Sequence, residues 1–253
     1  MGKMARKRAG QYEAPPMSRE TLVMIPPLLC DARVFFPQIK ALSRDHAVMV
    51  APPTCGERME EIASQMLDWS PSRFSLLGVG FGGMVAMEML RRAPERITRI
   101  ALISTTPQPD SPEAAAAREE QIIAARAGRW EDVLQHEINS TWMGPATDKS
   151  ALVRQLTEMG RDIGPDNYVK LARAMQRRRD QQDVLRKISQ PAAVICGSHD
   201  GQFQIKRHQF LAELIPNARL EVIEGAGYMP TLERPDATTD ALHRWIRMPL
   251  LLR

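Results

Sequence analysis

Cysteines, long apolar runs and an excess of one charge are all scarce in this 253-residue chain. The three cysteines, Cys30, Cys55 and Cys196, are odd in number and share no metal-ligand spacing. That favours a reducing, cytoplasmic setting over a disulfide framework. No apolar run approaches the roughly 18–20 residues that span a bilayer, so no membrane segment is expected. The first residues are basic but lack an apolar core, so they do not read as a secretory signal. Net charge is only +4, and residues 1–16, with Lys3, Arg6, Lys7 and Arg8 against Glu13, carry +3 of it. A nearly neutral remainder offers no electrostatic footprint for nucleic acid. His/Cys/carboxylate clusters with ligand spacing are also missing, so no metal is expected, and no nicotinamide or flavin cofactor either.

What remains is an ordinary globular composition, 43% hydrophobic and 25% charged, which excludes a disordered chain. The length suits one large α/β domain or two small ones. Short apolar runs at Thr21–Ile25, Ala47–Val50, Phe74–Leu77, Ile97–Ile103, Ala192–Cys196 and Leu220–Ile223 read as buried strands. Helical periodicity falls between them, at Glu57–Trp69, Met84–Arg91, Gln209–Leu214 and Asp236–Ile246. This alternation predicts βαβ units and a mostly parallel sheet flanked by helices. Residues 112–182 break it: they contain no strand pattern and are rich in Ala, Arg, Glu and Met. The expected organisation is a basic tail (1–16), an α/β core (17–111 and 183–253) and a helical cap (112–182) inserted in the core. Within the cap, Trp142, Met143 and Tyr168 are pocket candidates. The run Arg177-Arg178-Arg179 reads as an exposed helix face.

Residues 78–83 read Gly-Val-Gly-Phe-Gly-Gly, between a strand and a helix. Such a turn either cradles a phosphate on the helix N-terminus or forms an elbow that projects a nucleophile. Glycines 78, 80 and 83 also match a dinucleotide fingerprint. That fingerprint sits after the first strand, however, whereas this turn follows at least the third, and no acidic ribose ligand follows Ile103.

Further blocks decide for the elbow. They are Ile25-Pro26-Pro27-Leu28-Leu29-Cys30-Asp31-Ala32-Arg33, Arg92-Ala93-Pro94-Glu95-Arg96-Ile97, Cys196-Gly197-Ser198-His199-Asp200 and Gly225-Ala226-Gly227-Tyr228-Met229-Pro230 with Thr231–Pro235. In order and spacing, Leu22 to Trp245 resembles the α/β-hydrolase superfamily, in particular its bacterial esterase, enol-lactonase and proline-iminopeptidase-like branch. The resemblance implies an α/β-hydrolase fold, a Ser-His-Asp triad, two backbone N–H donors for an oxyanion and a helical lid over an apolar pocket. Carried over residue by residue, it places Gly80 at the nucleophile, Tyr228 at the histidine and Asp200 at the acid. Phe81 and Leu28 become the backbone donors, with Pro27 where glycine is usual.

Gly80 has no heteroatom and cannot form an acyl-enzyme. A Tyr228 phenol beside a carboxylate is a poor base at neutral pH, though it can donate a hydrogen bond. The Tyr228 ring is expected above Gly80, its hydroxyl near Asp200 or the Phe81 amide. Cys30 reads as a buried, inert thiol at the pocket edge, and Asp31 and Arg33 as a structural loop pair. Three readings stay open: a non-hydrolytic enzyme acting on a carbonyl-bearing small molecule, a small-molecule-binding pseudo-hydrolase, and an esterase or lactonase inactivated at Gly80 and Tyr228.

Overall fold

The protein is described by a computed structural model covering residues 18–250, apart from 55 and 146. The basic tail and Cys55 lie outside the described residues. Six strands form one parallel sheet in the order β2-β1-β3-β4-β5-β6. They are β1 (Ser18–Ile25), β2 (His46–Val50), β3 (Phe74–Val79), β4 (Ile97–Ile103), β5 (Ala192–Gly197) and β6 (Ala218–Ile223). Every residue of β3, β4 and β5 is buried, as expected of strands covered on both faces.

Period-two alternation divides each strand between two cores. Val23 and Ile25 of β1 pack with α2 (Met59–Trp69), α3 (Phe81–Arg92) and α8 (Ile205–Leu214). Leu22 and Met24 face the opposite layer, formed by α1 (Phe36–Leu42) and α10 (Pro235–Ile246). The α1 helix and the short α9 (Pro230–Glu233) carry no clear sequence period; each begins with a proline in its first turn, where no donor is lost. Between β4 and β5 the chain forms α4 (Pro112–Arg126), α5 (Trp130–Glu137), α6 (Lys149–Gln176) and α7 (Gln182–Leu185), with no strand among the described residues. The α6 helix is interrupted at Gly164, whose φ of 80° and ψ of 164° are non-helical, just before Pro165.

The chain runs outward from β1 to β2, then returns across β1 to β3. Strand order therefore reverses between β1 and β3, and their carboxyl ends form the crevice where α/β sheets bind ligands. The loop after β1 and the turn after β3 meet there. Close approach requires glycine: a Cβ on Gly82 would lie 2.1 Å from the Ile25 carbonyl oxygen.

Candidate active site

Gly80 caps α3 with φ 53° and ψ −115°, a conformation that suits a residue without Cβ. Its N–H donates to the Ile103 carbonyl at 2.9 Å, and its carbonyl accepts from the Thr105 hydroxyl at 2.7 Å. The space above it is filled. A Cβ placed on Gly80 would lie 2.1 Å from the Tyr228 hydroxyl oxygen and 3.1 Å from Pro27 Cβ. Positions 27, 80 and 228, far apart in sequence, occupy one small volume.

The Tyr228 ring is fixed from three sides. Its backbone N–H donates to the Trp142 carbonyl at 2.8 Å. Its ring meets Trp142 edge-on at 6.0 Å and Phe203 at 6.2 Å. Burial, and then the charge of Asp200, pushes the phenol well above its ordinary pKa, so it is protonated at neutral pH. The hydroxyl makes no hydrogen bond to Asp200 or to the Phe81 amide; Asp200 acts on it through its charge.

Asp200 follows β5 and is 6% exposed. Its Oδ1 accepts from the N–H groups of Gln202 at 2.9 Å and Phe203 at 2.8 Å. Its Oδ2 is buried without a hydrogen-bond partner among the described residues, although the equally buried Ser104 is near enough to favour the ionised form. Burial dominates and raises the carboxyl to about 6.

A cavity of about 250 Å³ lies between the sheet and the helical insertion. Leu28, Cys30, Phe81, Trp142, Met143 and Tyr228 line it, with Met84, Leu156, Met175 and Phe203 adding apolar wall. The backbone N–H groups of Phe81 and Leu28 have no acceptor among the described residues, so Pro27 leaves the Leu28 donor available. Burial, and then the charge of Asp31, raises the Cys30 thiol far above its ordinary pKa, which disfavours the thiolate at neutral pH. Asp31 and Arg33 do pair within their loop, Nη2 to Oδ2 at 2.6 Å, and Arg33 also reaches Asp162 of α6.

Other candidates are placed differently from expectation. Asp200 is not part of the cavity wall. Tyr168 is fully buried behind it, its hydroxyl donating to Glu137 Oε1 at 2.6 Å, because its ring fills the insertion's own core beside Trp130. Arg178 is not an exposed face residue: it is 9% exposed and donates to the carbonyls of Gln108 and Met175 and to Asp110. His136 of the insertion is exposed and also lines the cavity.

Sequence reasoning missed the polar end of the cavity, Arg118, Glu137, Asn139 and Gln202. Arg118 interrupts the Ala114–Ala117 run of α4, and no spacing rule marks it as inward-facing. Its Nε donates to Asp110 Oδ2 at 2.9 Å, while Arg178 Nη1 donates to the other oxygen of the same carboxylate at 2.8 Å. Among the described residues no group of three or more His, Cys, Asp or Glu side chains could hold a metal ion, and no helix is long and apolar enough to cross a membrane.

A parallel sheet with a glycine elbow at its strand-order reversal defines a class of fold, and comparison with known proteins agrees. Residues 22–241 match the alpha/beta hydrolase family, and the chain belongs to that family. It is 26% identical over 201 residues to a pimeloyl-[acyl-carrier protein] methyl ester esterase of Aromatoleum aromaticum, covering 73% of this chain and 78% of the relative. It is 25% identical over 210 residues to a biotin biosynthesis bifunctional protein of Teredinibacter turnerae, covering 75% of this chain but only 36% of that longer protein. Among solved structures, a thermophilic esterase from Thermogutta terrifontis superposes with a TM-score of 0.81 at 23% identity, covering 90% of this chain and 89% of the esterase.

Proposed function

We propose that this α/β-hydrolase-fold protein is a non-hydrolytic enzyme that stabilises an enolate-like anion of a carbonyl-bearing small molecule beneath a helical lid, residues 112–182. The observation that carries this reading is the Tyr228 hydroxyl standing where a side chain on Gly80 would project. The site has exchanged an attacking atom for a proton donor. In this reading the substrate carbonyl oxygen accepts from the N–H groups of Phe81 and Leu28 and from the Tyr228 hydroxyl. When the bond between the α-carbon and the carboxylate of a β-keto acid breaks, carbon dioxide leaves and the bond's electron pair moves through the α-carbon onto the carbonyl oxygen as an enolate. Tyr228 then donates its proton to that enolate, and solvent reprotonates the Tyr228 oxygen. Asp200 is off the cavity wall, so its part is electrostatic: its charge, together with burial, keeps the phenol protonated. Lyase, isomerase, cyclase and decarboxylase steps share this requirement and need no covalent intermediate. Two buried free thiols, Cys30 and Cys196, support a reducing, cytoplasmic setting.

The test pairs two substrates. A β-keto acid should release carbon dioxide, and Tyr228→Phe should slow this by about 10²-fold or more. A 4-nitrophenyl ester should not turn over, and no acyl adduct should form. Ester cleavage at ordinary enzymatic rates with a trapped acyl group would overturn the reading.

A second reading, a binding protein without turnover, is favoured by one observation: the retained carboxylate does not reach the cavity. A metabolite recovered unchanged by mass spectrometry would select it. The third reading, an inactivated esterase, is tested by Gly80→Ser combined with Tyr228→His. Gly80→Ser alone is uninformative, because Tyr228 already occupies the space.

A further inference from the structure

The 250 Å³ cavity continues past Arg118 into a second, more polar one; Met84, Ala114, Arg118, Met175, Gln202 and Phe203 line both. Tyr228 and Leu28 line only the first, so a ligand with its carbonyl at Tyr228 directs its other end toward Arg118.

That end is polar, incompletely hydrogen-bonded and neutral overall. Arg118 spends its Nε on Asp110, and its two terminal nitrogens have no acceptor among the described residues. Its side chain is 15% exposed, and its terminal nitrogens are not shut away from the cavity space. Glu137, on the same wall, accepts from Tyr168 through Oε1, and its Oε2 has no partner among the described residues. Unused donors and an unused acceptor therefore face one space. Over the two linings the Arg, Asp and Glu side chains balance, Arg118, Arg178 and Arg207 against Asp110, Glu137 and Asp180, with His136 also on the wall. A carboxylate would meet an unpaired Glu137, and an ammonium would meet an unpaired Arg118.

We infer that the cavity selects a ligand whose far end, away from Tyr228, is uncharged and carries a hydrogen-bond acceptor for Arg118 and a donor for Glu137, the chemical class of a primary carboxamide. This rests on the cavity being the substrate site.

Calorimetric titration of the intact protein at pH 7.5 with hexanamide, hexanoate and hexylamine tests it. Hexanamide should bind at least tenfold more tightly than either charged isostere. Glu137→Gln keeps an acceptor for the Tyr168 hydroxyl but removes a negative charge, and should raise hexanoate affinity relative to hexanamide at least tenfold. Arg118→Gln should shift the preference toward hexylamine. Tighter binding of a charged isostere to the wild type, an unchanged order in Glu137→Gln, or no binding of any probe would overturn the inference. The enzymatic reading fails separately. Tyr228→Phe should keep the hexanamide preference while losing turnover, and Tyr228-dependent turnover without that preference removes only the present inference.

Discussion

At the scale of single residues, Gly80, Tyr228 and Pro27 compete for one volume, and their identities are energetically linked. Gly80→Ser should destabilise the protein by about 1–3 kcal/mol through overpacking against the phenol. In a Tyr228→Ala background, itself less stable than the wild type, the further cost of Gly80→Ser should be much smaller. A double-mutant cycle by urea denaturation measures the coupling, and additive effects would contradict the shared volume. Asp200 gives a second residue-scale expectation. Its folded-state carboxyl is raised from 3.8 to about 6, so the fold favours the protonated form. Stability is fully present below pH 3.8 and is lost as the pH rises through 6. Asp200→Asn keeps an acceptor for the Gln202 and Phe203 amides. It should be more stable than the wild type at pH 8 by up to about 3 kcal/mol, the gap closing below pH 4.

At the scale of elements, one carboxylate bridges the helical insertion and the Tyr228 loop, alongside the Tyr228 N–H to Trp142 carbonyl bond. Glu233 Oε2 accepts from the N–H of Gly144 at 2.6 Å, the Thr147 hydroxyl at 2.8 Å and the N–H of Gly227 at 3.0 Å, while Oε1 accepts from the N–H of Met229 at 2.9 Å. A glutamine there would turn an NH2 group toward donors. Glu233→Gln should cost about 1–3 kcal/mol, and hydrogen exchange should quicken at residues 142–147 and 227–229 before it does in β3 or β4. Uniform acceleration across the sheet would argue against a local clasp. The α3 helix illustrates another kind of element: Phe81–Leu90 are all buried, and the carboxylate of Glu88 is satisfied by Arg91 and Gln181. That explains why its sequence reads as a broad apolar stripe and not as one face of a surface helix.

At the scale of the whole molecule, two buried groups around Phe203 titrate in the same range with opposite sign. The His208 ring is 0% exposed and stacks edge-on with Phe203 at 6.3 Å. Burial lowers it from 6.5 to about 4, so the folded state loses stability as the pH falls below 6.5, levelling off below about 4. Asp200 gains stability over the same descent, and the wild-type profile between pH 6.5 and 4 should be comparatively flat from these two groups. Thermal unfolding of Asp200→Asn should show a steeper fall toward pH 4. A His208→Phe variant should rise instead. Parallel profiles for both variants would refute the opposition.

The six strands and the helices α2, α3, α8 and α10 were legible in the chain itself, whereas α1 and α9 were not. Apolar runs of strand length bounded by Pro and Gly have few alternatives, and a glycine elbow after β3 identifies the crevice at the sheet's reversal. The absence of an attacking atom at Gly80 was equally plain, being a matter of functional groups. The tertiary structure decided what periodicity does not encode. It laid the Tyr228 phenol over Gly80, withdrew Asp200 and Tyr168 from the cavity wall, and brought Arg118 of α4 beside Glu137 of α5. Backbone pattern is a local property, set by steric preference and burial of the nearest residues. The facing of one side chain depends on which helices the insertion packs together, and so on contacts between residues far apart along the chain.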